Sequence, residues 1–157
     1  MLVSLLDIPD DRADVEKLGR EGILIRRIQP YELSILRRFV LKHFSEAWAD
    51  EVMSAFTHQP VTCFVATREK KIIGFAAYEC TRRGFFGPTG VDNAYRGKGV
   101  GKALFLACLR GMYEMGYAYG VIGGVGPADF YAKCAGAIPI PNSTPGVYVD
   151  SLDRAES

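Results

Sequence analysis

The sequence predicts a mixed α/β domain, in which a β-sheet is flanked by helices. Two observations carry this prediction. Short segments of β-branched and apolar residues alternate along the chain with segments whose apolar residues recur every three or four positions. The composition, with 48% hydrophobic and 24% charged residues among 157, is that of a globular protein long enough to bury a core.

The chain begins with a predicted N-terminal extension at residues 1–22. It includes a short helix that Pro9 can start and Gly19 can end. We expect this extension to pack against the rest of the protein and to carry no chemistry. Residues 23–157 are predicted to form a single domain.

The first elements of that domain are a strand and two helices. The β-branched run at 23–28 predicts the strand. Apolar residues three and four positions apart predict a helix over 31–43. Ser45 can cap a second helix, which ends before Gln59-Pro60.

A predicted hairpin follows, formed by strands at 61–67 and 71–78 around a charged turn. Both strands are nearly continuously apolar, which indicates that both of their faces are covered. A short aromatic strand follows at 85–91, where Gly87, Pro88 and Gly90 disfavour regular pairing with a neighbour.

The last part of the chain predicts further helices and strands around the same sheet. Apolar spacing indicates a helix over 104–115, then a strand at 117–122 and a short helix at 128–135. The tail over 138–149 is predicted as loop and strand, restricted by its three prolines.

A glycine-rich turn joins the aromatic strand to the helix that follows it. Gly97, Gly99 and Gly101 let the backbone approach a ligand closely. The first turn of a helix has unpaired N–H groups and the positive end of the helix dipole. The cations here are Arg96, Lys98 and Lys102. We therefore expect a phosphate or pyrophosphate at this turn.

The spacing of the glycines narrows the choice of ligand. A Walker loop would need glycine at Arg96 and Ser or Thr at Ala103, and the dinucleotide fingerprint also fails at this turn. The pattern Arg-x-x-Gly-x-Gly does fit, at Arg96, Gly99 and Gly101. This pattern, after a strand ending in Val91-Asp92, resembles the pyrophosphate-binding signature of GNAT-type N-acetyltransferases.

The resemblance extends over roughly residues 23–150, because the order of elements is also similar to that of the GNAT fold. It implies a mostly antiparallel central sheet, splayed at the strands that hold acetyl-CoA. It also implies an enzyme that transfers an acetyl group from this cosubstrate directly to a primary amine in a ternary complex. The implied cofactor-binding residues are Gly90, Val91, Arg96, Gly97, Lys98, Gly99, Val100, Gly101 and Lys102.

The resemblance also assigns a catalytic residue. Tyr131 aligns with the family tyrosine that protonates the departing thiolate, and a backbone N–H near Gly90 or Val91 would polarise the acetyl carbonyl. Many members place a general base, a carboxylate, on the strand before the loop, and this sequence has none there. Two alternatives could deprotonate the amine or make a base unnecessary: water relayed from Glu79 or Asp92, or an amine that arrives neutral. A covalent route through Cys134 is a further alternative.

The acceptor is expected at the two early helices. Phe44, Glu46 and Trp48 belong to a segment that combines aromatic residues with carboxylates, which suits a cationic amine. A solvated helix face with one anchoring tryptophan is an equal alternative. The sequence does not identify the amine, and monomer and homodimer both remain open.

The net charge and the cysteine content limit which other ligands, disulfides and metal sites can be expected. The net charge of +1 gives no general basis for binding nucleic acid or a membrane. The four cysteines are dispersed, which favours free thiols in a reducing compartment, and the two histidines do not complete a metal-binding pattern. We expect a cytoplasmic protein without a structural metal.

Two other functions remain compatible with the sequence. One is a non-catalytic acyl-CoA sensor of the same fold, favoured by the missing strand carboxylate. The other is a nucleotide-binding domain that uses the same glycine-rich turn, which the failed Walker positions disfavour.

Overall fold

The computed structural model describes residues 1–154 and confirms the mixed α/β fold. Residues 155–157, the end of the predicted domain, lie outside the described residues. The strands are β1 (Leu2–Ser4), β2 (Ile23–Arg27), β3 (Cys63–Arg68), β4 (Lys71–Tyr78), β5 (Phe85–Val91) and β6 (Tyr119–Ile122). The helices are α1 (Arg12–Arg20), α2 (Leu33–His43), α3 (Glu46–Met53), α4 (Val100–Glu114) and α5 (Ala128–Ala135).

The six strands form one sheet in the order β1-β6-β5-β4-β3-β2. Every neighbouring pair is antiparallel except β5 and β6, which are parallel. The sheet is therefore mostly antiparallel, and the predicted hairpin is the β3–β4 pair. Ser45 caps α3 by accepting a hydrogen bond from the backbone N–H of Trp48 at 3.2 Å, as the sequence predicts.

Helices cover both faces of the sheet. In β4, Ala76 and Tyr78 pack in a cluster with the apolar face of α4, whereas Phe75 and Ala77 pack in a second cluster with α2 and α3. This alternation along one strand explains why the sequence of β4 is nearly continuously apolar. No helix within residues 1–154 is both long and apolar enough to cross a membrane.

Two predictions about the chain ends need correction. Leu2–Ser4 forms β1, an unpredicted edge strand that pairs with β6, and its Val3 lies in the core beside α4. The strand predicted within 138–149 does not form. Ile138 makes only an isolated bridge to Leu2, because the prolines that follow remove backbone donors. The division of the chain at residue 22 stays a prediction.

Candidate functional site

The site begins where two parallel strands separate. β5 and β6 pair only at Phe85–Val121 and Phe86–Ile122, which confirms the predicted splay. Immediately afterwards Gly87 takes a φ of +118° and Pro88 has no N–H to donate, so the ladder cannot continue. A cavity of about 810 Å³ lies against the separated strands.

The cavity combines the glycine-rich loop with residues from both faces of the sheet. Its lining is formed by Phe44, Trp48, Glu51, Thr81, Phe86, Gly87, Pro88, Thr89, Gly90, Val91, Tyr95, Arg96, Gly97, Gly99, Val100, Gly101, Lys102, Ile122, Gly123, Gly124, Gly126, Pro127, Phe130, Tyr131 and Tyr148. All but two of the predicted site residues belong to this set.

The glycine-rich loop presents free backbone donors. Gly97 and Gly99 have φ values of +76° and +88°, and a Cβ at either position would meet open space. The first hydrogen bond of α4 runs from the Ala103 N–H to the Gly99 carbonyl at 3.1 Å. Within residues 1–154, no N–H from Gly97 to Lys102 donates to a backbone carbonyl. These groups form a cradle for an anion at the positive end of α4.

The cations around this cradle differ in their placement. Arg96 lines the cavity, and its Nε donates to the Val91 carbonyl at 3.2 Å. Lys102 also lines it, and its Nζ lies 2.8 Å from Asp14 of α1, a hydrogen bond that raises the pKa of the lysine. Lys98 lies outside the lining and places its ammonium 5.9 Å from the ring centre of Tyr95.

The backbone of β5 also directs a donor towards the gap. The Asp92 N–H donates to the Ile73 carbonyl of β4 at 2.9 Å. Because N–H groups alternate sides along an antiparallel strand, the Val91 N–H points away from β4. Of the two positions predicted to polarise an acetyl carbonyl, the strand geometry therefore favours Val91 over Gly90.

Tyr131 stands between the sheet and α4. Its ring packs edge-on against Phe86 and Phe105, at centroid distances of 6.0 and 5.1 Å, and only 6% of the residue is exposed. Burial raises the pKa of Tyr131 to about 12, and the neighbouring Cys134 adds to the shift. The phenol is therefore neutral at physiological pH and can donate a proton.

Other candidates for proton or acyl transfer are engaged elsewhere. Glu79 is buried and accepts hydrogen bonds from the Gly84 N–H and from the Tyr117 hydroxyl at 3.2 Å. Asp92 caps the turn after β5 by accepting from the Ala94 N–H at 3.0 Å. Cys134 is absent from the lining, and burial raises the pKa of its thiol. Residues 1–154 contain no group of three or more potential metal-ligating side chains.

The acceptor residues predicted on α3 and just before it separate into two sets. The rings of Phe44 and Trp48 stack at 5.5 Å and both line the cavity. Glu46 is not part of the lining and pairs with Arg154 at 2.9 Å on the protein surface. It lies two residues before Trp48, so the helix directs the two side chains to different sides.

The lining also includes residues that were not predicted as site residues, among them Glu51, Thr81 and Tyr148. Glu51 accepts a short hydrogen bond from the Thr81 hydroxyl, and Tyr148 lies beside them. Glu51 could have been found from its spacing, since it follows Trp48 by three positions and shares a helix face with it. Thr81 lies in a bend and Tyr148 ends a 3₁₀ helix of one turn, Gly146–Tyr148, so no periodic pattern marks either residue.

The ring of Phe44 leaves no room for a side chain at Gly90. A Cβ at this position would overlap the ring of Phe44. We expect Gly90→Ala to lower the free energy of unfolding by about 1–3 kcal/mol, because the ring must move out of a packed position. Denaturant unfolding of the single and double variants measures the effect, which should shrink in a Phe44→Leu background.

Gly101→Ala is the matched control for that experiment. Its Cβ would meet Phe130 and Val91 at 3.7 Å, an ordinary contact, and alanine suits a helix. We expect no loss of stability in this variant. An equal cost of Gly90→Ala with and without Phe44 would show that the ring is not the cause.

Comparisons with known proteins agree with this architecture. Residues 59–134 match the family model of an acetyltransferase (GNAT) domain. The fold is similar to the GCN5-related glucosamine N-acetyltransferase region of a fungal multi-domain GH3 β-N-acetylglucosaminidase, with a TM-score of 0.69 and 17% identity over 85% of this chain and 19% of that chain. No curated protein matches the sequence significantly.

Two bacterial structures are also similar in fold. A GCN5-related N-acetyltransferase from Sphaerobacter thermophilus has a TM-score of 0.63 and 19% identity over 85% of this chain and 45% of that chain. The GNAT family N-acetyltransferase YhbS from Escherichia coli, solved in complex with CoA, has a TM-score of 0.56 and 24% identity over 72% of this chain and 67% of that chain. This chain thus spans less than half of the fungal and Sphaerobacter proteins.

Proposed function

We propose that this chain, in which residues 59–134 match the family model of an acetyltransferase (GNAT) domain, is an acetyl-CoA-dependent N-acetyltransferase that acetylates a primary amine by direct transfer. One observation carries this proposal. A single cavity brings together the free N–H groups before α4, the gap between β5 and β6, and the side chain of Tyr131. Aminolysis of the acetyl-CoA thioester requires a site for the pyrophosphate, a slot for the pantetheine arm and an acid for the leaving sulfur. The free N–H groups, the gap between β5 and β6, and Tyr131 supply these three parts.

The residues of the cavity fit acetyl-CoA. The N–H groups from Gly97 to Lys102, with Arg96 and Lys102, would hold the pyrophosphate. The slot between β5 and β6 would take the pantetheine arm, whose amides would meet the exposed backbone at Gly123 and Gly124. The CoA complex of the similar Escherichia coli protein supports this assignment.

Acetyl transfer then follows from three groups. Bound acetyl-CoA supplies a thioester whose acetyl carbon forms a bond to the neutral amine nitrogen as its bond to sulfur breaks and the electron pair leaves with sulfur. The Val91 N–H donates to the carbonyl oxygen as negative charge develops there, a contribution of about 3 kcal/mol. Tyr131 gives its proton to the departing sulfur and recovers one from solvent.

The proton released by the amine needs no carboxylate on β5. That strand carries none, and Glu79 is held by Gly84 and Tyr117. In this proposal the amine loses its proton to water in the cavity, or binds already neutral. We expect the rate of transfer to rise with pH as more of the free amine becomes neutral.

A thermal-shift titration tests the ligand assignment. Acetyl-CoA and CoA at about 100 times their Kd should each stabilise the protein by about 2.7 kcal/mol, which corresponds to a rise in Tm of roughly 5–10 °C. ATP with magnesium should give a much smaller shift, because the cradle is not a Walker loop. Stabilisation by ATP alone would assign the glycine-rich loop to a nucleotide and refute the proposal.

A further inference from the structure

The charges that line the cavity are unevenly placed. Both cationic side chains of the lining, Arg96 and Lys102, belong to the glycine-rich loop. Its single carboxylate within residues 1–154 is Glu51, which extends from α3. The part of the lining formed by α3, Thr81 and Tyr148 thus carries a negative charge and contains no cation of its own.

The Glu51 carboxylate is held in place at one oxygen only. The Thr81 hydroxyl donates to Oε1, and Tyr148 lines the same cavity. Among the described residues, Oε2 accepts no hydrogen bond. One oxygen therefore remains available to a ligand, while the other fixes the orientation of the group.

Aromatic rings line the same cavity as this carboxylate. Phe44 and Trp48 stack on each other, and Tyr148 contributes a third ring to the same lining. Aromatic faces attract cations and cover methylene chains at the same time. The neighbouring carboxylates Glu46 and Asp50 instead pair with Arg154 outside the cavity, at 2.9 and 3.2 Å.

We propose that Glu51 selects acceptor amines that carry a second cationic group, as diamines and polyamines do. This proposal rests on the proposed N-acetyltransferase function. The nitrogen that attacks the acetyl group must be neutral, so a lasting pair with Glu51 requires another charge on the same molecule. An acceptor with a carboxylate in that place would meet a like charge.

Three probes of equal chain length separate these cases: cadaverine with a second ammonium, pentylamine with a methyl group, and the corresponding ω-amino acid with a carboxylate. We expect the wild-type protein to prefer cadaverine over pentylamine by about 10- to 100-fold in kcat/KM, and to use the amino acid least. Glu51→Gln keeps the shape of the side chain and should bring the cadaverine to pentylamine ratio close to one.

Asp50→Asn is the matched control, since it removes the adjacent carboxylate of α3, which faces Arg37 and Arg154. The preference for cadaverine should persist in this variant. A wild-type protein without that preference, or a Glu51→Gln protein that retains it, would overturn the selection role and leave the transferase function standing. A large loss of kcat with pentylamine in Glu51→Gln would also overturn it, because Glu51 would then act on the reacting nitrogen.

Calorimetry of cadaverine binding to the complex of protein and CoA gives a second readout that does not depend on turnover. We expect Glu51→Gln to weaken this binding by about 10-fold or more, and Asp50→Asn to leave it unchanged. Equal binding by wild type and Glu51→Gln would refute the site. If binding follows this pattern while no amine is acetylated, the site stands and the transferase proposal fails.

Discussion

Gly99→Asp is expected to reduce binding of acetyl-CoA by about two to three orders of magnitude while the protein remains folded. Gly99 caps α4 with a φ of +88°, and a Cβ there points into open space. The added carboxylate would therefore project beside the proposed pyrophosphate. Two charges about 4 Å apart near a protein surface repel by about 4 kcal/mol, which is the source of the expected loss. Calorimetric titration with CoA measures it.

Gly99→Asn separates charge from backbone strain. Asparagine has the same shape as aspartate, and both residues tolerate positive φ better than most others. We expect the two variants to unfold at similar temperatures, with Gly99→Asn retaining most of its affinity for CoA. Equal loss of affinity in both would attribute the effect to the backbone, and unchanged affinity in Gly99→Asp would place the pyrophosphate elsewhere.

Tyr131→Phe is expected to lower kcat by about 10²- to 10⁴-fold with little change in the Kd for CoA. The phenyl ring preserves the edge-on contacts with Phe86 and Phe105, so only the hydroxyl is lost. Steady-state thiol release gives kcat, and calorimetry gives the Kd. A variant with the rate of the wild type would remove Tyr131 from the mechanism.

The pH profile supplies an independent check on Tyr131. Burial disfavours the phenolate and raises the pKa to about 12, so the proton needed by the leaving sulfur stays in place through the alkaline range. We therefore expect that deprotonation of Tyr131 does not lower kcat between about pH 8 and 10. A decline in that range that disappears in Tyr131→Phe would contradict the assigned pKa.

The glycine-rich loop and the neighbouring elements were predictable because their signals are local. The glycines, the cations and the strand before them follow one another between residues 85 and 102, and the structure places them in that order. The splay was predictable for the same reason, since Gly87 and Pro88 interrupt β5 by their own backbone properties.

The parts that escaped prediction depend on contacts between distant segments. β1 has only three residues, and it is a strand because β6 offers an edge more than 100 positions later. The Glu51, Thr81 and Tyr148 group joins a helix, a turn and the C-terminal segment, so no short stretch of sequence contains it. Helix spacing alone could place Glu51 and Glu46 on different sides of α3. It could not show that Thr81 and Tyr148 lie near Glu51.

Amine-dependent release of CoA thiol, with mass-spectrometric detection of the acetylated amine, tests the central claim most directly. The purified protein, acetyl-CoA and cadaverine should yield one thiol for each acetylated amine, with multiple turnovers and little release in the absence of amine. Tight binding of acetyl-CoA without turnover of cadaverine or of a wider panel of primary amines would contradict catalysis. Such a result would identify the protein as an acyl-CoA sensor of the same fold.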